Sequence, residues 1–255
     1  MARYGMVIDL QKCVGCGACA LACKAENNTP DRREGQTFNW ADFLNETSGT
    51  FPNVHYECKP VLCNHCTKAP CVKACPTKPK SMYKSPEGVT LHNEKTCIGC
   101  RECQDACPYS AGNVEKEKVQ YSVISVNEKD GKVHPAFENQ KELIKGCTAS
   151  GVEIAQKAGA TPPYQMKYDH PTYMSVRRHG VAEKCFFCHH RVAQKLEPFC
   201  VDSCPSKARI FGDLDDPNSP PSKLLKEHKG TRLKEEEGTE PNVYYIRSFS
   251  AAKKA

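Results

Sequence analysis

Aromatic residues are scarce in this chain, at 8% of positions with a single tryptophan, and hydrophobic residues of every kind reach only 39%. A length of 255 residues allows one large domain or two small ones, yet there is little here to build a large core from. No run of about 18 apolar residues occurs, so no transmembrane helix is expected. The opening Met1-Ala2-Arg3-Tyr4-Gly5-Met6 has no apolar signal segment and no twin arginine. Synthesis in the cytoplasm follows as an expectation, and there a disulfide framework is disfavoured. No phosphate loop, dinucleotide fingerprint or Ser/His/Asp set competes for a catalytic role. The formal charge is +6, but no basic stripe interleaved with aromatics marks a nucleic-acid surface.

What the chain has in abundance is cysteine, 18 in all. The most regular stretch is Cys97-Ile98-Gly99-Cys100-Arg101-Glu102-Cys103-Gln104-Asp105-Ala106-Cys107-Pro108. Its spacing, C-x2-C-x2-C-x3-C-P, is that of a bacterial ferredoxin: three thiolates wrap one 4Fe–4S cube and the fourth ligates another. Gly99 falls where the backbone has to pass an inorganic sulfide with no Cβ in the way. Such a run demands a second one.

Three more are present. Cys13, Cys16, Cys19 and Cys23 repeat the x2-x2-x3 spacing, without the proline. Cys63, Cys66, Cys71 and Cys75-Pro76 follow x2-x4-x3, and Cys185, Cys188, Cys200 and Cys204-Pro205 follow x2-x11-x3. Sixteen cysteines in four groups of four form an internal repeat. Swapped fourth ligands require the groups to pair: the second and third are neighbours in sequence, leaving the first and fourth to close around them. C-x2-C pairs also occur in zinc ribbons, which makes a zinc-bound interaction scaffold the competing reading. Zinc gives no reason for a third cysteine at x2 and a fourth at x3, so iron–sulfur clusters are expected.

Four such clusters change the charge balance. A 4Fe–4S centre with four thiolates carries about −2 when oxidised, so four add about −8 to the formal +6. The basic residues therefore read as offsetting clusters. Lys184 and Arg101, next to ligand cysteines, are candidates for tuning cluster potential; ordinary solvated residues are the alternative. Cys58 and Cys147 lie outside every group and read as free thiols. His65 and the His189-His190 pair sit beside cysteines, but with four thiolates per cluster they are expected as supporting or surface residues.

The intervening sequence yields an α+β class: two ferredoxin-like units, one nested in the other, with long insertions. Residues 1–30 with 181–212 form the outer unit and 58–110 the nested one. Tyr4–Leu10 reads as a strand, Ala18–Glu26 as a helix, and residues 81–92 as a hairpin around Ser85-Pro86-Glu87-Gly88. Residues 31–57 read as an inserted loop or partner surface carrying Trp40, and the Asn45-Glu46-Thr47 sequon as chance. Within an insertion at 111–180, Val119–Val126 suggests a strand and Lys141–Lys145 a helix. Ala208–Gly212 reads as a closing strand, and 213–255 as an extended arm with a short strand at Val243–Ile246.

With its four groups, its opening Val7-Ile8-Asp9-Leu10-Gln11-Lys12-Cys13-Val14-Gly15-Cys16 and its Gly212-Asp213-Leu214-Asp215-Asp216-Pro217, the chain resembles the four-cluster electron-transfer (beta) subunit of the dimethyl sulfoxide reductase family of molybdenum oxidoreductases. It looks closest to the subunits of respiratory arsenate, selenate and sulfur-oxyanion reductases. The resemblance implies that Cys13, Cys16, Cys19 and Cys204 hold cluster 1, and Cys23, Cys185, Cys188 and Cys200 cluster 2. It likewise gives Cys63, Cys66, Cys71 and Cys107 to cluster 3, and Cys75, Cys97, Cys100 and Cys103 to cluster 4. The first cluster then lies nearest a molybdopterin-containing catalytic subunit and the fourth farthest from it. The far end serves a membrane quinol-oxidising subunit or a cytochrome. Export with the partner to the periplasm or the outer membrane face is implied, with a cytoplasmic location as the alternative. The chain itself catalyses nothing on this reading; a free-standing polyferredoxin is the alternative function.

Overall fold

The computed structural model describes residues 2–127, 149, 151–157, 159, 161, 168, 170, 172–174, 177 and 179–248. The expected helix at Lys141–Lys145 and the thiol of Cys147 lie outside them. Strand β1, Tyr4–Asp9, is buried on both faces from Gly5 onward, which is why it reads as a continuous apolar run. Its two neighbours come from the far end of the chain. Strand β8, Arg209–Asp213, pairs with it antiparallel, Met6 opposite Phe211. Strand β9, Val243–Ile246, pairs parallel, Met6 opposite Val243. This three-stranded sheet zips the two ends of the chain together. Helix α1, Ala18–Asn27, follows β1 and stops where Asn28 turns left-handed and its N–H bonds Lys24 O.

The stretch 31–57 is not the loop that its polarity suggested. Strands β2, Ala41–Thr50, and β3, Asn53–Leu62, form a long antiparallel hairpin through it, so the supposed boundary at residue 58 falls inside a strand. Nor is Trp40 a surface residue. It is buried, with the Arg177 guanidinium 4.5 Å over its ring and Phe186 meeting it edge-on at 5.2 Å. Polar composition misled here because hairpin arms need little apolar content when much of them stays in water.

The hairpin expected over 81–92 is present as β4, Met82–Lys84, and β5, Thr90–His92. Short helices α2, Pro70–Ala74, and α3, Glu102–Asp105, flank it. The strand expected over 119–126 shrinks to β6, Ser125–Val126, paired with β7, Ala182–Glu183. Serine hydroxyls are the cause. Ser122 Oγ accepts from Ala111 N and donates to Ile124 O at 2.8 Å, and Ser110 Oγ accepts from Ile124 N, so side chains occupy backbone groups that a ladder would need. A further helix, α4, spans Gly151–Lys157. Helices α5, His189–Val192, and α6, Phe199–Asp202, lie within the last cysteine run.

Residues 213–248 are also more than an extended arm. Ser219 caps helix α7, Pro220–Glu227, whose prolines occupy the first turn, where no amide donor is missed. The chain then crosses back over the cysteine-rich middle. Asn242 Nδ2 donates to His65 O at 2.8 Å, Thr67 N to Glu240 O at 2.9 Å, and the Tyr245 hydroxyl to Pro60 O at 2.9 Å. Ile246, fully buried beside β1, closes this clasp. Ile246→Ala is expected to destabilise the folded chain by about 2–5 kcal/mol, read as a lower melting temperature; an unchanged melting temperature would show that the clasp is dispensable.

Candidate functional site: four cysteine quartets in file

Three cavities are each lined by four of the sixteen grouped cysteines. Cys13, Cys16, Cys19 and Cys204 surround one, beneath β1 and β8. Cys63, Cys66, Cys71 and Cys107 surround a second. Cys75, Cys97, Cys100 and Cys103 surround a third. The remaining four also meet: the Cys23 thiol faces those of Cys188, Cys185 and Cys200. In each run, then, three thiols share a site and the fourth stands in another. The structure places all sixteen residues singled out in the sequence in four groups of four thiols.

The local folding explains the crossings. Helix α1 begins with Cys19 in the first quartet and carries Cys23, one turn on, into the second. There Asn27 Nδ2 donates to Cys23 Sγ at 3.5 Å and lies 3.7 Å from Cys188 Sγ, joining segments 161 residues apart. The Cys-Pro ends of two runs share one cradle. Cys75 Sγ accepts from Met82 N at 3.5 Å and meets Thr77 Oγ1; Cys204 Sγ accepts from Ala208 N at 3.3 Å and meets Ser206 Oγ. The repeat in the sequence is thus a repeat in hydrogen bonding.

Neighbouring quartets come within electrostatic reach of one another in one order. Cys19 interacts with Cys200, Cys185 with Cys63, and Cys71 with Cys103, so the first, second, third and fourth sites stand in file. Only Cys16 and Cys100 are exposed among the sixteen, one in each end site.

The electrostatics ask for cationic occupants. Burial pushes the thiols of Cys66 and Cys71 up to about 11 and those of Cys107 and Cys188 up to about 12, with neighbouring thiolates adding to the effect. At Cys75 and Cys204 burial also pushes upward, but donors, led by the amides of Met82 and Ala208, outweigh it and the net direction is down. Four thiolates packed this way need positive charge among them. Among the described residues no three His, Cys, Asp or Glu converge on a point as a single metal ion requires. Thiols spread around a cavity fit a cluster.

Two buried cations stand at the junctions. Lys184, expected as a tuning residue, is buried; its Nζ donates to Thr90 O at 2.6 Å and Cys185 O at 2.5 Å and lines the third site. Arg209, which sequence reasoning missed, is buried between the first and second sites. Burial pulls its pKa down, but the thiolates of Cys19 and Cys200 outweigh that and the net direction is up. Among the described residues its Nη2 has no hydrogen-bond partner. A basic residue five positions after the last cysteine was the available signal. Arg101, by contrast, is half-buried beside the exposed Cys100.

The histidines serve packing. His65 stacks on Phe187 at 3.7 Å, its Nδ1 accepts from Thr90 N, and burial with Lys184 and Lys84 nearby holds its pKa well below the usual range. His190 is buried against Glu26 at 2.6 Å, and His189 meets the Tyr168 hydroxyl. Cys58 sits on β3 near Cys13, outside the four sets. At Gly99 φ is +68°, and a Cβ would lie 2.1 Å from Gly180 O, a close approach that by itself calls for glycine.

The fold and these sites define a ferredoxin-like electron carrier with four 4Fe–4S clusters. A family model described as a 4Fe-4S dicluster domain matches residues 54–127 and 141–214, and one described as a 4Fe-4S binding domain matches residues 4–25. The chain is 47% identical to the arsenate respiratory reductase iron-sulfur subunit of Shewanella sp. (strain ANA-3), over 97% of both chains. It is 35% identical to a selenate reductase subunit of Mesobacillus selenatarsenatis and 31% identical to a tetrathionate reductase subunit of Salmonella typhimurium, each over 96% of this chain and 72% of the relative. The chain belongs to the iron–sulfur beta subunits of the dimethyl sulfoxide reductase family, non-catalytic electron-transfer subunits of molybdenum oxidoreductases.

Gly99→Ala is expected to lower stability by about 1–3 kcal/mol through strain at positive φ and to displace the segment at Gly180. A melting temperature and iron content both equal to those of the native chain would contradict the close approach as the reason for the glycine.

Proposed function

We propose that this chain is the electron-transfer subunit of a molybdopterin-dependent reductase of an oxyanion such as arsenate. Its four clusters are held by the sets of cysteines that line the four sites: Cys13, Cys16, Cys19 and Cys204; Cys23, Cys185, Cys188 and Cys200; Cys63, Cys66, Cys71 and Cys107; and Cys75, Cys97, Cys100 and Cys103. The observation that carries the reading is the file itself, with one exposed cysteine at either end and buried sites between. The bound clusters supply one-electron transfer. The chain's own residues bind them, exclude water from the middle sites and set their charge environment through Arg209, Lys184 and the amides at Cys75 and Cys204. The arsenate reading draws on the 47% identity to a subunit of a respiratory arsenate reductase.

In finer detail, residues 1–30 with 181–212 make an outer two-cluster unit around a nested one at 58–110, a reading supported by the β1–β8 pairing and the Asn27 bridge. The first site faces the catalytic subunit and the fourth a quinol-linked partner, in a complex at the outer face of the cytoplasmic membrane. No described helix is long and apolar enough to cross a membrane.

Two experiments test this. Anaerobically prepared protein is expected to contain about 16 iron atoms; zinc in excess of iron would sink the reading. Redox-titrated EPR is expected to show damage to the first cluster in Cys204→Ser and to the second in Cys23→Ser, while the nested pair survives. Loss of one and the same signal in both variants would refute the crossed assignment. In the same titration, Arg209→Leu is expected to lower the midpoint potentials of the first two clusters, and Arg209→Lys to restore them. Potentials unmoved in Arg209→Leu would remove the guanidinium from that role.

A further inference from the structure

Beyond the clusters, the least explained feature of the fold is the β2–β3 hairpin. From Asn45 outward every residue of β2 is exposed, and so are the first four of β3. Six residues of β2 at about 3.3 Å each carry it roughly 20 Å into solvent. A bare two-stranded hairpin is marginally stable in water, and its two open edges invite pairing.

Its two faces differ. The register sets Gly49 opposite Val54, Thr47 opposite Tyr56 and Asn45 opposite Cys58 on one face, with no charge among them. The other face pairs Ser48 with His55 and Glu46 with Glu57, and His55 Nε2 meets Glu57 Oε1 at 3.0 Å. Val54 and Tyr56 on the uncharged face are more than half exposed, and Phe51 at the tip is 92% exposed. Such one-sidedness fits a surface with one face against a partner and the other in water.

The uncharged face is continuous with the mouth of the first site. Phe43 and Pro60, the next pair along it, line the Cys13–Cys204 cavity, and a Cβ on Gly15 would lie 3.4 Å from Cys58 Sγ. That mouth holds the exposed Cys16 and the exposed Val14. A partner close enough to exchange electrons with the first cluster covers this mouth and meets the hairpin beside it.

We propose that the uncharged face of the β2–β3 hairpin is a docking arm for the catalytic subunit, gripping an apolar, uncharged patch beside that subunit's own redox centre. This rests on the reading that the first site is the catalytic end. A permanent subunit suits the arm, because exposed aromatic and aliphatic side chains such as Phe51, Val54 and Tyr56 are of the kind that lasting interfaces bury.

The test is co-expression with the catalytic subunit, followed by size-exclusion chromatography and iron analysis. Val54→Glu with Tyr56→Glu is expected to retain native iron content while co-purifying with the molybdenum-containing subunit about tenfold less or worse. Ser48→Glu, on the charged face, is expected to co-purify as the native chain does. Replacing 47–56 by a two-residue Asn-Gly turn, which keeps Glu46 opposite Glu57, is expected to act like the double variant and to keep all iron. Native co-purification of the uncharged-face variant would overturn the proposal, as would equal loss in Ser48→Glu or disruption only of a self-association of this chain. If the native chain fails to bind any molybdenum subunit, the catalytic-partner reading falls first and the docking arm falls with it.

Discussion

The first three thiols of a run wrap one site, and the fourth, set off by three residues, goes to another; that constraint organises the molecule. The fourth cysteine stands in a neighbouring site in all four runs, so no site is complete within a single run. The ends of the chain have to meet for the first and second sites to exist. The β8–β1–β9 sheet performs that closure, and its Met6, Ile8 and Ile246 are fully buried in the core. Much of the remaining core is cysteine, which explains how a chain with 39% hydrophobic residues holds a defined shape.

Concentrating that much sulfur has an electrostatic consequence. Buried thiols resist ionisation, and the upward shifts at Cys66, Cys71, Cys107 and Cys188 record it. Iron supplies most of the compensating charge when it binds, so metal loading and folding are linked. The protein adds its own positive charge where neighbouring sites come together, Arg209 between the first and second and Lys184 beside the third. Oriented amides at Cys75 and Cys204 do the same at smaller scale. The net positive formal charge is therefore partly internal, which is why it makes a poor guide to surface partners.

The segments between the cysteine runs divide by what they cover. Residues 121–127 fold inward, where Gln104 Nε2 bonds both Gln36 Oε1 and Ile124 O and ties three distant stretches together. The stretch after 213 clasps β1 and the loop at His65. The β2–β3 hairpin instead leaves the body, and it leaves beside an end site. A carrier with buried middle sites and exposed ends works between partners, and the elements at those ends are where its assembly is written.

Cluster chemistry was legible in the sequence alone, because ligand spacing is a local property: a tetrathiolate run has to present its sulfurs at fixed intervals whatever surrounds it. The strand at Tyr4, the helix at Ala18 and the 81–92 hairpin were legible for the same reason, since their patterns and turn residues lie within a few positions of one another. Tertiary structure decided the rest. Trp40 reads as surface in a polar stretch, yet Arg177 and Phe186, far along the chain, enclose it. Val119–Val126 has strand propensity, yet serine hydroxyls and a short partner at Ala182 leave two residues paired. Arg209 carries no local mark beyond its place five positions after Cys204; it matters because the fold sets it between Cys19 and Cys200, which stand 181 residues apart in sequence and belong to adjacent sites. Contacts over such separations depend on which surfaces the closed chain brings together, and no spacing rule encodes that.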